Sequence, residues 1–180
     1  MRVPYHSLAE TPKMTPACRW SVLLLVLVLV AFAAADDKKD DKKDDKLAEL
    51  KLTDDEKAVI ELTNAERKKA DMDLSPLKMN PQLMEAARKH AENMAAQDKL
   101  SHTLDDKEPP DRAKAAGYKS DFVGENIAWG QKSPKQVVEV WMDSEGHRAN
   151  ILHKEFTEIG VAVAKNTKGE RYWVQVFGKP

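Results

Sequence analysis

The chain has 180 residues and a net charge of −1 at pH 7, with 29 basic and 30 acidic residues. This length holds one ordinary domain with appendages, and the balanced charge excludes a general attraction to nucleic acid or anionic lipid. The single cysteine, Cys18, lies near the amino terminus. A domain farther along the chain must therefore be stable without disulfides, which its length allows.

Residues 1–35 have the features of a signal peptide. An apolar run over residues 21–32 follows Arg19, and the alanines at 33–35 supply the small residues that signal peptidase needs. The uncharged stretch is shorter than the ~20 residues of a membrane-spanning helix, which favours cleavage over an anchor. We therefore expect a protein that is secreted or held at the cell envelope, with no stable membrane insertion after cleavage.

The stretch before Arg19 is long for the charged region of a signal peptide. Met14 is therefore an alternative start to Met1, and it would give a compact charged region.

Residues 36–50 are predicted to be a charged linker. From Asp36 to Lys46 the sequence alternates pairs of aspartates and lysines, so residues four apart carry like charges and would repel on a helix. The repeat contains no apolar residue to bury, which is typical of a solvated tether. The folded domain is predicted over residues 51–180.

Four helices are predicted from their start signals. Thr53 and Glu56 have the spacing of a capping box, and Asn80 and Ser133 each precede a proline that suits a first helical position. Apolar residues at helical spacing then extend each segment. The predicted helices cover about 54–70, 81–99, 111–116 and 134–152.

The carboxyl-terminal part changes to strand spacing. Residues 159–164 alternate Ile or Val with Gly or Ala, residues 166–169 form a turn, and residues 172–177 return as a second strand. The small residues on one face of the first strand would let a helix pack close to it. The sequence therefore predicts an α+β fold with a small antiparallel sheet between helical layers.

Several fragments, in order and spacing, resemble the CAP superfamily (cysteine-rich secretory proteins, antigen 5 and pathogenesis-related proteins; SCP domains), in particular its bacterial secreted branch. The resemblance implies a three-layer α-β-α sandwich with a polar cleft where loops meet, one of them the loop of the Gly-Glu-Asn motif. The fragments are Asn64-x-x-Arg67, Leu100-Ser101-His102, Gly124-Glu125-Asn126-Ile127, Trp141-x-x-Ser144-x-Gly146-His147-Arg148, and Phe156 to Val161 with Trp173 to Gly178.

The family cleft usually contains two histidines and two glutamates. This chain has Ser144 three residues after Trp141, where eukaryotic members usually have the second glutamate, and Glu145 follows it. On a continuous helix both could approach one face, so either could contribute. The predicted cleft residues are His102, Glu125, Asn126, Ser144, Glu145 and His147.

Three kinds of function suit such a cleft. His102 and His147 could bind zinc or another divalent metal, although no local metal-ligand motif such as HExxH supports them. The alternative is a hydrogen-bonded cluster in which Glu125 fixes a histidine tautomer. A hydrolase would use Ser144 or water as nucleophile, a histidine as base and Glu125 as orienter, but Ser144 lacks a GxSxG elbow.

The third function, which the resemblance favours, is a binding module for a small-molecule, lipid, sterol or envelope-glycan ligand. The alternative is a metal-assisted hydrolase acting on peptide or cell-wall substrates. Outside the predicted cleft, His90 is expected to be a satisfied residue on a helix face. Trp129 is expected to pack against the domain or, if exposed, to stack on a ligand ring.

Overall fold

The computed structural model describes residues 51–71 and 73–180. The predicted signal peptide (1–35) and charged linker (36–50) lie outside the described residues. None of the helices in the described part of the chain is both long and apolar enough to span a membrane.

The described residues form five helices and four strands. In chain order these are α1 (Asp54–Ala70), β1 (Lys78–Met79), α2 (Pro81–Gln97), α3 (Pro109–Ala115), β2 (Val123–Trp129), α4 (Pro134–Asp143), α5 (Glu145–Ile151), β3 (Glu158–Lys165) and β4 (Arg171–Gly178).

The predicted helix starts are confirmed by their capping bonds. The Thr53 hydroxyl accepts from the Glu56 amide at 3.2 Å, and the Glu56 carboxylate accepts from the Thr53 amide at 2.9 Å. The Asn80 side chain accepts from the amides of Gln82 and Leu83. These bonds satisfy amides that have no partner within a helix, so short local motifs fix where α1 and α2 begin.

The sheet has the strand order β1-β3-β4-β2, with β2 and β3 both antiparallel to β4. The predicted α+β sandwich and its terminal hairpin are confirmed. Two strands were not predicted: β1, which pairs in parallel with β3, and β2, which contains the Gly-Glu-Asn motif expected in a loop. Glu125 and Asn126 obscure the alternation of β2, because both are polar and yet buried.

Alternate residues of the sheet face two different helical layers. In β4, Trp173 and Phe177 pack in the core shared with α1 and α4, while Val174 and Val176 pack in the core beneath α2. This alternation is the side-chain period of a strand, and it makes the sheet the middle layer of the sandwich. The sheet is therefore covered by helices on both faces.

The contact of α2 with β3 depends on Gly160. A Cβ atom at this position would lie inside contact distance of the backbone of Leu83 and Met84. The small residues predicted to let a helix approach this strand do so, since Gly160 and Ala162 face α2 and are buried.

The predicted helix over 134–152 is wrong at its centre. Ser144 has extended backbone angles (φ −96°, ψ 123°) and separates α4 from α5. Serine favours helix ends because its side chain competes with helical hydrogen bonds. The break turns α5 away from the line of α4, so spacing counted from Trp141 does not carry across it.

We expect Gly160→Ala to destabilise the protein by roughly 3 kcal/mol, because the added methyl group must displace the α2 backbone. Gly146→Ala is the matched control. Gly146 lies in α5 with nothing within 4 Å of an added Cβ atom, so alanine should be neutral or stabilising by up to about 1 kcal/mol. Denaturant unfolding measures both, and equal effects would contradict the close approach.

Candidate functional site

Glu125 lies at the centre of a polar cluster on the outermost strand of the sheet. Its side chain is 1% exposed, and it points into the layer that contains α2 and α3, on the same face of β2 as Ile127. Because a buried carboxylate is costly unless its oxygens are paired, the groups around Glu125 determine what this site can do.

Both oxygens of Glu125 have a partner. Oε1 lies 2.8 Å from His102 Nδ1, and Oε2 accepts from Arg112 Nη2 at 2.7 Å. A carboxylate can only accept, so a neutral His102 ring carries its proton on Nδ1 and has a free lone pair on Nε2. The His102 side chain is 48% exposed whereas that of Arg112 is 9% exposed. The cluster is therefore anchored inside the protein and presents His102 at the surface.

His90 lies beneath this pair, which differs from the satisfied helix-face role expected for it. Its side chain is fully buried, and Nε2 is 3.7 Å from Glu125 Oε1. Glu125 and the Ser101 carbonyl both attract a proton on the ring, but neither makes a well-formed hydrogen bond with it. Burial lowers the pKa of His90, with Glu125 opposing the shift and Arg112 adding to it.

Asn126 lies on the opposite face of β2 and is fully buried. Its side-chain amide donates to the backbone carbonyl of His147 at 3.0 Å and to Gln175 Oε1 at 3.2 Å. Gln175 in turn donates to the Thr63 hydroxyl at 2.7 Å. Asn126 thus ties α5 and α1 to the sheet, and although it was predicted to line the cleft, it offers no exposed surface to a ligand.

The free edge of β2 is covered by side chains from α4 and α5. The carbonyls of Glu125 and Ile127 accept from Asn150 Nδ2 and Trp141 Nε1, each at 3.2 Å. Alternate residues of a strand direct their backbone groups to opposite sides, and the even-numbered residues of this segment face β4, as Gly130 shows. Trp141 and Asn150 therefore block an edge that could otherwise pair with another chain.

His147 approaches the cluster from α5, on the other side of the edge strand. It lies one turn before Asn150, so the bonds that fix Asn150 also place His147. Its Nδ1 is buried and has no hydrogen-bond partner among the described residues. Burial lowers the pKa of His147, and the charge of His102 lowers it further.

Ser144 and Glu145 are not drawn into the cluster. Ser144 is half-buried at the junction of the two helices, and its hydroxyl makes no capping bond. Glu145 is exposed in the first turn of α5. Of the predicted set, the structure therefore joins His102 and Glu125 directly, and it adds Arg112 and His90, while His147 is tied to the edge strand through its backbone carbonyl.

A zinc site fits these residues poorly. Within residues 51–71 and 73–180, no three His, Asp or Glu side chains come close enough together to hold a metal ion. Glu125 has both oxygens committed to His102 and Arg112, so it is not available as a third ligand beside two imidazoles. Protein zinc sites normally supply three or four ligands, and this cluster does not offer that number.

A separate groove lies between α1 and α4, away from Glu125. It has a volume of about 510 Å³, an apolar floor and a charged rim. The floor is formed by Leu62, Val138 and Met142, and the rim by Glu66, Lys69, Lys135, Glu139 and Asp143. This helical groove shares no lining residue with the His102–Glu125 cluster.

Arg112 and His90 were missed because neither belongs to a motif. Arg112 lies in a short helix that reads as an exposed connection, and His90 lies among the alanines of a buried helix face. The sequence did contain a weak signal for His90. It lies close to Ala87 and Ala91 on a helix face that is buried, and a buried imidazole needs hydrogen-bond partners.

A model of the cysteine-rich secretory protein family, CAP, matches residues 60–177. The YkwD protein of Bacillus subtilis is 42% identical over 123 residues, which cover 68% of this chain and 46% of that relative. This chain spans less than half the length of the curated relatives it matches.

Two solved structures of bacterial proteins have the same fold. An outer surface protein from Borrelia burgdorferi aligns with a TM-score of 0.66 at 24% identity, over 72% of this chain and 96% of that chain. An extracellular protein from Bacillus anthracis that contains an SCP domain aligns with a TM-score of 0.62 at 26% identity, over 70% and 40% of the two chains.

We expect Trp141→Phe to cost about 2 kcal/mol or more, because it leaves the buried Ile127 carbonyl unpaired and opens space in the core. Trp129→Phe serves as the control, since Trp129 is 47% exposed and its truncation should change stability by no more than about 0.5 kcal/mol. Denaturant unfolding compares them. Equal losses would show that the indole bond does not secure the strand edge.

The lowered pKa of His90 predicts a pH dependence of stability. The unfolded state takes up a proton on this residue as the pH falls below the ordinary value of about 6.5, whereas the folded state resists it. The wild type should therefore lose stability relative to His90→Leu as the pH falls through this range, and the difference should be constant above it. Unfolding free energies at a series of pH values measure this, and parallel curves would contradict it.

Proposed function

Because the chain belongs to the cysteine-rich secretory protein (CAP) family, we propose that it acts outside the cytoplasm as a binding domain for a hydroxyl-rich ligand of the cell envelope. Its similarity to an outer surface protein and to an extracellular protein supports this location. The predicted signal peptide supports it independently.

One observation carries the proposal: the half-exposed ring of His102 is held by a buried Glu125–Arg112 pair. Burying an ion pair seldom adds stability compared with apolar residues of similar size. A gain in stability therefore does not by itself explain a buried charged pair here, whereas a surface imidazole with a fixed orientation is useful for binding. Conflicts between local stability and structure of this kind concentrate at functional sites.

The exposed groups suit a ligand with several hydroxyls, such as a glycan. His102 Nε2 can accept a hydrogen bond, and Trp129 presents a 47% exposed ring on the same face of β2 as Glu125. Glu125, which holds His102, and Trp129 are four positions apart on this strand, about 13 Å, a span that an oligomeric ligand can bridge. Aromatic rings and imidazoles along one edge are the groups expected for stacking on sugars and bonding to their hydroxyls.

Binding of the purified protein to an array of cell-envelope glycans tests the proposal. We expect retention that falls roughly tenfold in His102→Ala, in line with the loss of one hydrogen bond in a binding site. Lys165→Ala is the control, since Lys165 is an exposed residue at the end of β3, two strands from β2. A flat array, or retention that His102→Ala leaves unchanged, would contradict the proposal.

A lipid ligand is the competing outcome, because the helical groove between α1 and α4 has an apolar floor. Vesicles of envelope lipid form the second arm of the same experiment. Retention on vesicles that is lost in Met142→Asp, at a half-buried lining residue, and kept in His102→Ala would assign binding to that groove and overturn the assignment to the His102 cleft.

A further inference from the structure

We propose that Arg112 is the positioning residue of the cleft: it holds the Glu125 carboxylate in one orientation, so that His102 keeps its proton on Nδ1 and presents Nε2 as an acceptor. The inference deepens the proposed function, on which its ligand-binding consequence rests. Its structural part concerns only contacts within the protein.

Arg112 uses both ends of its guanidinium. Nη2 donates to Glu125 Oε2 at 2.7 Å, and Nη1 donates to the backbone carbonyl of Lys107 at 2.6 Å. The side chain is nine-tenths buried. It therefore joins the edge strand, through Glu125, to the loop that carries His102, although it does not touch His102 itself.

The loop that carries His102 and Lys107 contains a tight turn. Asp105 and Asp106 both have left-handed backbone angles (φ 53° and 56°), and the Lys107 amide donates to the Leu104 carbonyl at 3.0 Å across the turn. Left-handed angles occur mainly at glycine and also at asparagine and aspartate, which suit tight turns. The Asp105 carboxylate accepts from Asn93 and Gln97 of α2. The Lys107 carbonyl is thus a fixed point for Arg112.

Glu125 Oε1 can form a hydrogen bond with either of two imidazoles, and the orientation of the carboxylate decides which one. Oε1 lies 2.8 Å from His102 Nδ1 but also 3.7 Å from His90 Nε2. A modest rotation of the carboxylate would strengthen the second contact and weaken the first. Because Oε2 is tied to Arg112, the rotation is blocked and the bond goes to His102.

Charge gives Arg112 a second effect. A guanidinium remains protonated in proteins, so it stabilises the Glu125 carboxylate under all ordinary conditions. Without it, a carboxylate that is 1% exposed would have only imidazoles to compensate it. The proton between Glu125 and its imidazole neighbours would then redistribute, and His102 would lose its single tautomer.

Long-range heteronuclear NMR of protein labelled at the histidine nitrogens tests this at one mildly alkaline pH. In the wild type we expect His102 as a single tautomer with its proton on Nδ1. In Arg112→Gln that tautomer should no longer be the only one, and the His90 signals should shift. Arg112→Lys keeps the charge and should restore the His102 pattern in large part. Arg88→Gln is the matched control, because Arg88 pairs with Glu56 rather than Glu125, and it should leave both rings unchanged.

Two results would overturn the inference: a wild-type His102 that carries its proton on Nε2, or an Arg112→Gln spectrum identical to that of the wild type. The wild-type spectrum needs no variant, so the test stands even if Arg112→Gln fails to fold. A purely structural role for Arg112 would lower stability without changing the tautomer or being rescued by lysine.

Glycan retention measured in parallel separates this inference from the proposed function. We expect Arg112→Gln to lower retention about tenfold, comparable to the loss of His102. If the NMR spectra are as expected but neither the wild type nor any variant is retained on glycans, Arg112 is supported as a positioning residue and the glycan ligand is refuted. If retention depends on His102 but Arg112→Gln changes neither the spectra nor the retention, the inference about Arg112 is refuted and the proposed function is not.

Discussion

The carboxylate of Glu125 lies almost fully buried at the edge of the sheet, and the arrangement of the cleft depends on how it is compensated. A charge in this position is costly, and the loss of either partner would leave the other group poorly satisfied. Arg112 and His102 come from a short helix and a loop that have little core of their own. Their bonds to Glu125 therefore fix the position of these segments on the sheet, and the same bonds leave one ring of the cluster at the surface.

The side chains that cover the sheet edge also fix the position of α5. Trp141 and Asn150 bond the outward carbonyls of β2, and Asn126 bonds the backbone of α5 at His147. The helix α5 is therefore held at two points against the edge strand. The position of α5 thus follows from strand-edge protection, a structural requirement of a sheet edge that lacks a partner strand.

Local signals predicted much of this fold. The capping residues of α1 and α2, the small face of β3 and the terminal hairpin follow from patterns a few residues long, and the family resemblance supplied His102, Glu125 and His147. The strand containing Glu125 was missed because its pairing with β4 is set by residues some fifty positions away. The break at Ser144 and the roles of Arg112 and His90 were missed for a similar reason: each depends on what the folded chain brings beside it.

A double-mutant cycle between Arg112 and Glu125 tests most directly whether this buried pair organises the cleft. Unfolding free energies would be measured for the wild type, Arg112→Met, Glu125→Gln and the double variant. We predict a coupling of about 2 kcal/mol or more, since each single change leaves the other buried group poorly compensated. If the losses of unfolding free energy in the two single variants sum to within about 0.5 kcal/mol of the loss in the double variant, the account is contradicted.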